Sequence, residues 1–186
     1  MKSATTATPN TRERIMRSAL ALFLEDGYVG TSVRDIADAN GVTVPALYYH
    51  FTNKDDLLAA IVQPMADDGE ALMVRLEAFR GPAGELAEVA LGGYLDVLAA
   101  HLDVFRFVST DLAVRSHPVA GHRLAEQSAR FAKRLAGTRP SRARRLCTAA
   151  AIGAIRRPLR LRDVDPVRDR RQILAAALAA YGAADA

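Results

Sequence analysis

Apolar residues fall into helical register almost from the start of the chain. Ile15, Ala19, Leu22 and Phe23 recur at i, i+4, i+7 and i+8, so a helix beginning at Thr11 lays one face on a core, and Gly27 is expected to end it. Ser32 is placed to cap a second helix, with Asp35 three residues on for the reciprocal bond, and Ile36 and Ala37 face inward. Asn40-Gly41 supplies the tight turn that stops it. Thr43 caps a third helix; Pro45 sits in its first turn, where a missing N–H costs nothing, and Leu47 and Phe51 share one face. Asn53-Lys54-Asp55-Asp56 opens a fourth helix, carried by Leu57, Leu58, Ile61, Val62 and Met65 toward Phe79, before Gly81-Pro82 breaks it. Five more helices are predicted over 83–100, 102–115, 118–136, 141–157 and 167–183, separated by Ser116-His117-Pro118 and Gly137-Thr138-Arg139-Pro140. The pattern predicts an all-α fold of about nine helices: a flexible arm over 1–10, a small module over 11–52 and a larger helical domain over 53–186.

Composition agrees with the pattern. Half of the 186 residues are apolar, there is no Trp, and β-branched and aromatic residues are too sparse for many strands. The first ten residues lack the apolar run of a signal peptide, and later apolar stretches are too short or too interrupted to span a bilayer. With Cys147 as the single cysteine, no internal disulfide can form, and a reducing cytoplasm is expected. The net charge of +4 suits a nucleic-acid partner, but its distribution is uneven. Residues 1–54 carry six basic and five acidic side chains, 55–137 eight and twelve, and 138–186 eleven and four. The C-terminal surplus, including Arg142, Arg144, Arg145, Arg156 and Arg157, reads better as solvated helix faces and ion pairs with the acidic middle than as a nucleic-acid site.

The stronger nucleic-acid signal lies over residues 32–51, two short helices meeting across a Gly turn. Val33, Ile36, Ala37, Val42, Leu47 and Phe51 lock them together. Val44, Pro45, Ala46, Tyr48, Tyr49 and His50 are left for the outer surface. A helix-turn-helix needs this arrangement, the second helix entering the major groove while the first crosses the backbone.

Thr31-Ser32-Val33-Arg34-Asp35-Ile36-Ala37, then Gly41-Val42-Thr43, then Leu47-Tyr48-Tyr49-His50-Phe51 with Asn53-Lys54, together resemble the signature of the TetR family of transcriptional regulators. The resemblance covers about residues 11–62. It implies nine or ten helices, three of them in a DNA-binding part, with the last two forming a four-helix dimer interface. It also implies that Arg34 reaches a base edge or phosphate, that Thr43 and Tyr48 contact phosphate, and that Tyr49 and His50 line the same edge. Lys54, at the start of the fourth helix, joins this set, since cation and helix dipole both attract phosphate there. Other readings stand beside these: Arg34 as an exposed partner of Asp38, Tyr48 as a packing aromatic, His50 as an interior residue. Val44, Pro45 and Ala46 bring no hydrogen-bonding side chains, so thymine-methyl contact and shape readout are the routes open to them.

One such module contacts too little DNA for useful affinity, so a homodimer on a palindromic double-stranded operator is expected. Its interface candidates are a small-residue face of Cys147, Ala150, Gly153 and Ala154, and an apolar stripe of Ile173, Leu174, Ala177, Leu178 and Tyr181; ordinary intrachain packing is the alternative for each. In TetR-like proteins a small-molecule pocket lies among the fourth to eighth helices. Here Met65, Tyr94, Leu98, His101, Phe105, Val108 and Leu112 are the candidates, which together favour a largely apolar effector, and repression relieved by that effector is the expected mode. A regulator controlled by a protein partner, or not controlled at all, is the alternative. No paired carboxylates, nucleophile elbow, phosphate loop or Cys/His cluster points to an enzyme, a cofactor or a metal site; Asp111, His117 and His122 straddle Pro118 at unsuitable spacing.

Overall fold

The computed structural model describes residues 10–118 and 120–184. Of the arm expected over 1–10, all but Asn10 lies outside the described residues. Every regular element among them is helical: α1 (Thr11–Gly30), α2 (Val33–Asn40), α3 (Val44–His50), α4 (Lys54–Ala78), α5 (Ala83–Ala100), α6 (Leu102–Thr110), α7 (Leu112–Arg115), α8 (Ala120–Ala136), α9 (Arg142–Arg156) and α10 (Arg170–Gly182). A 3-10 turn at Pro158–Arg160 follows α9. The all-α class is as the pattern predicts, with one difference. The single helix expected over 102–115 is two, because Asp111 leaves helical geometry and its carboxylate accepts the Val114 N–H at 3.1 Å, starting α7 afresh.

The described residues form two compact units, one reaching to Val62 and the other from Gln63 onward, and α4 runs through the point of division. In the first unit local chemistry sets each boundary. Asn10 Oδ1 accepts from the Glu13 N–H at 3.0 Å to begin α1. Ser32 and Asp35 make the reciprocal box at 3.1 and 2.8 Å that begins α2. Gly41, at φ 63°, ends α2 in the left-handed region that a side chain disfavours. Thr43 caps α3, and Asn53 Oδ1 accepts from the Asp56 N–H at 2.7 Å to begin α4. Gly27 does interrupt α1, at φ 77°, but helical hydrogen bonding resumes beyond it to Gly30. The unit's core comprises Ile15, Ala19, Phe23, Tyr28, Ile36, Ala37, Leu47, Phe51, Leu57, Leu58, Ile61 and Val62.

In the second unit α5, α8, α9 and α10 pack together, the α9–α10 pair being the most extensive, and side-chain bonds tie α8 to the rest of α4. Arginines tie it together. Arg106 donates to the carbonyls of Leu159, Leu161 and Val164 at 3.0, 2.8 and 3.4 Å, and Arg134 to those of Leu76 and Phe79. Arg130 bridges Glu70 and Glu77, Arg123 pairs with Asp67, and Arg170 with Asp96. Pro64 lies inside α4, where it removes one backbone donor from the ladder.

Candidate nucleic-acid interface and interior cavity

Helices α2 and α3 meet at the Gly41 turn with Ile36, Ala37 and Leu47 turned inward. What this leaves outward on α3 is a surface of unusual make-up. Tyr49 is 86% exposed and Tyr48 48%, Pro45 and Ala46 are exposed, and Val44 and His50 are half-buried. The Tyr49 and His50 rings meet edge to face, centroids 5.3 Å apart. The Thr43 hydroxyl accepts from the Ala46 N–H at 3.3 Å, which leaves its own hydrogen for another acceptor. On α2, Arg34 projects with its side chain 83% exposed and only a 3.9 Å approach to Asp38, a pair too open to hold it. Exposed aromatic rings are costly in water, and two adjacent ones on a short helix mark a surface built for contact.

Lys54 departs from the sequence expectation. Its ammonium donates to the carbonyls of Tyr28 and Thr31 at 2.8 and 3.0 Å and lies 4.3 Å from the centre of the Tyr28 ring. Two of its three donors are thus engaged in closing the α1–α2 link, which holds the head against the chain. The Tyr28 hydroxyl donates to Asp55, and burial first, then that carboxylate, pushes the phenol far above its ordinary range. Lys54, Tyr28 and Thr31 thus form a clasp. The arrangement is carried by the interrupted end of α1, which the pattern of apolar positions does not reveal.

The second unit encloses a cavity of about 80 Å³. Met65, Tyr94, Leu98, Phe105 and Val108, all expected as pocket residues, line it, together with Leu72, Phe131 and the polar Gln127, Ser128 and Arg156. Tyr94 stacks on Phe131, centroids 4.6 Å apart, and burial raises its phenol pKa, so it stays a neutral donor. Two expected residues are elsewhere. His101 is drawn to Asp68, 2.7 Å away, and Leu112 is 73% exposed because the new start at Asp111 turns it to solvent. Arg156 and Gln127 were invisible in the apolar pattern because polar residues in a helix register read as surface.

On α9 and α10 the expected interface residues divide. Ile173 and Ala177 are intrachain core, 5% and 0% exposed. Tyr181 is held within the chain, its hydroxyl donating to the Leu135 carbonyl at 3.0 Å beneath the Arg144 guanidinium. For these three the intrachain alternative holds, because α10 is apolar on more than one face. Ala150 is exposed, Cys147, Gly153, Ala154, Leu174 and Leu178 are half-buried, and Leu146, which the small-residue pattern passed over, is 62% exposed. A side chain added at Gly153 would meet open space.

Among the described residues no three His, Cys, Asp or Glu side chains gather to hold a metal ion. His117 Nδ1 accepts from the Ala120 N–H and His122 faces Glu126. Nor is any helix long and apolar enough to cross a membrane.

Residues 15–61 match the family model described as bacterial regulatory proteins, tetR family. Over this segment, about a quarter of the chain, it is similar to the tetR family of regulators. It is 40% identical over 57 residues to the transcriptional repressor KstR2 of Rhodococcus jostii, and 47% identical over 51 residues to the transcriptional regulator AcrR of Shigella flexneri. These alignments take in 31% and 27% of this chain but only 28% and 24% of the two relatives' own length. The fold extends further than the sequence likeness. The structure of the ketosteroid transcriptional regulator KstR2 of Mycobacterium tuberculosis superposes with a TM-score of 0.75 over 93% of this chain and 95% of that one, at 17% identity. The family likeness therefore rests on the first unit, and for the second the likeness is of fold.

Proposed function

We propose that this protein is a cytoplasmic transcriptional regulator that binds a palindromic double-stranded DNA operator as a homodimer and represses until a small molecule releases it. The observation that carries this reading is the outward face of α3, Pro45, Ala46, Tyr48 and Tyr49, within the family-matched segment, where two tyrosines stand exposed with no hydrogen bond described for either hydroxyl. Tyr48 and Thr43 contact phosphate, Arg34 a base edge or phosphate, Tyr49 and His50 the groove edge, and Val44, Pro45 and Ala46 read shape and thymine methyls. The dimer forms through the outward residues of α9 and α10, chiefly Leu146, Ala150, Gly153, Leu174 and Leu178, where small side chains permit close helix approach.

Release works through α4. Met65, Leu72 and Met73 of this helix line the cavity, and the same helix begins directly after α3. A ligand that shifts α4 alters the separation of the two recognition helices from the roughly 34–36 Å that successive major grooves demand. Such a ligand releases DNA only if it binds one separation better than the other.

A second reading has its own support: at about 80 Å³ the cavity is far below the ~300–1,000 Å³ of common ligand sites, which favours a regulator without a small-molecule effector. Titrating the protein against its own upstream intergenic DNA over a salt series separates function from fold. Site-specific binding with a steep salt slope, lost in Tyr48→Ala and Tyr49→Ala, is the expected result. Binding at only the non-specific level, indifferent to both substitutions, would make α2 and α3 a structural hairpin and end the regulator reading.

A further inference from the structure

Four arginines are half-buried among the described residues: Arg106, Arg134, Arg144 and Arg156. Three of them are satisfied by backbone carbonyls, Arg106 by three, Arg134 by two and Arg144 by that of Tyr181. Arg156 is different. Among the described residues it has no hydrogen-bond or ion-pair partner; the Phe105 ring lies 6.0 Å from the guanidinium carbon, and the Tyr94 phenol feels its charge. It also lines the cavity, where it is the one charged side chain among the described lining residues, with no carboxylate to balance it. A guanidinium withdrawn partly from water without an anion is disfavoured, and five fixed donors facing apolar walls are a receptor waiting for a planar acceptor.

We infer that the effector is an amphipathic carboxylate, its anionic head received by Arg156 and its apolar body by Leu72, Leu98, Phe105, Val108 and Phe131. This rests on the effector reading above. Tyr94, kept neutral by burial, and Ser128 add hydroxyl donors on the same lining, and both suit an anion better than a cation. The walls can give. Met65 and Met73 are unbranched and adaptable, and Gln127, whose amide donates to the Ala66 carbonyl at 2.8 Å, packs so closely over Gly69 that a β-carbon there would lie 2.6 Å from it. The cavity is smaller than the ~150 Å³ that admits benzene, so a ligand with more than a few carbons displaces Gln127 as it enters.

The test is calorimetric binding of octanoate, decanoate and 2-naphthoate to the full-length protein, each paired with its primary amide, which matches the acid in shape but lacks the charge. At least one acid is expected to bind on the order of 10- to 100-fold tighter than its amide, the range of a charge-assisted hydrogen bond. Arg156→Gln should bring acid and amide within about threefold, chiefly by loss of acid affinity, and Arg156→Lys should restore part of the difference. Amide binding also reports that the glutamine variant is folded. Acids and amides binding alike to the wild type would overturn the anion inference and leave an apolar effector pocket standing. No binding of any probe at millimolar concentration would overturn both. A preference for acid that survives Arg156→Gln would place the anion elsewhere and refute the role of this residue.

Discussion

The two units of this protein hold their helices in place by different means. In the first, each of the four helices starts on a side-chain cap no more than three residues from its target: Asn10, Ser32, Thr43 and Asn53. In the second, α5, α6 and α10 start with no side-chain cap at all. Their positions depend on bonds between residues far apart in the chain, such as Arg106 to Leu161, 55 positions away, and Arg170 to Asp96, 74 away. A unit set by local bonds can keep its geometry through sequence divergence elsewhere. One set by long-range pairs can exchange them and reshape its interior.

The comparison breaks most readily at Arg106. Its guanidinium satisfies three carbonyls of the segment joining α9 to α10, so Arg106→Ala leaves acceptors unpaired and should cost about 3 kcal/mol in urea unfolding. The loss should appear in the second unit, seen as faster amide exchange over 158–166, with the first unit's exchange unchanged. Uniform exchange across both units would show that long-range bonding has no privileged place in the second.

Next in size is Lys54, at the head of a long-reach polar clasp in the first unit. Lys54→Met removes two carbonyl bonds and a cation over the Tyr28 ring and should lower stability by about 2 kcal/mol. Because its ammonium is engaged within the chain, operator affinity should fall while the slope of affinity against salt stays as in the wild type. A slope shallower by about one would restore Lys54 to the phosphate contacts. Ser32→Ala, which deletes one local cap, should cost about 1 kcal/mol. Asp35 completes that box, and its carboxyl lies below the ordinary range because the Ser32 hydroxyl and then the Ser32 N–H bond its charged form. A folded pKa depressed in this way contributes stability that is present above the unfolded carboxylate range and lost as the pH falls through the folded value. Acid melts of Ser32→Ala should therefore converge on those of the wild type.

The same contrast explains what could be read from the chain beforehand. Caps, the Gly41 turn and the inward Ile36 and Leu47 act over three or four positions, and the pattern of residues displayed all of them. The cavity lining was half legible: Met65, Tyr94, Leu98, Phe105 and Val108 are apolar or aromatic in a helical register, whereas Arg156 looks like any surface arginine until the fold turns it inward. Leu112 and His101 went astray for one reason each, a cap at Asp111 that restarts the helix and a carboxylate at Asp68 that arrives from another helix. Ile173 and Ala177 show the limit of periodicity, which identifies an apolar face without saying whether it meets this chain or a second copy.

The smallest effect on stability is expected at Arg34, and there it is the smallness that informs. Its ion-pair partner, Asp38, stands 3.9 Å off, Asp35 feels its charge more weakly, and the Arg34 and Asp38 side chains are largely exposed, so Arg34→Ala should change the unfolding free energy by no more than about 0.5 kcal/mol. Holding an exposed guanidinium on α2 at no structural gain is then to be explained by what it touches outside the chain. If that is a guanine edge, Arg34→Ala should relax preference at one base pair of each half-site, by about 1–3 kcal/mol against the favoured base, and leave others unchanged. If it is a phosphate, affinity should fall evenly for all sequences and the salt slope should shrink by about one. Binding measured on a set of single-base operator variants distinguishes these two outcomes, and an unaltered affinity throughout would reduce Arg34 to a solvated partner of Asp38.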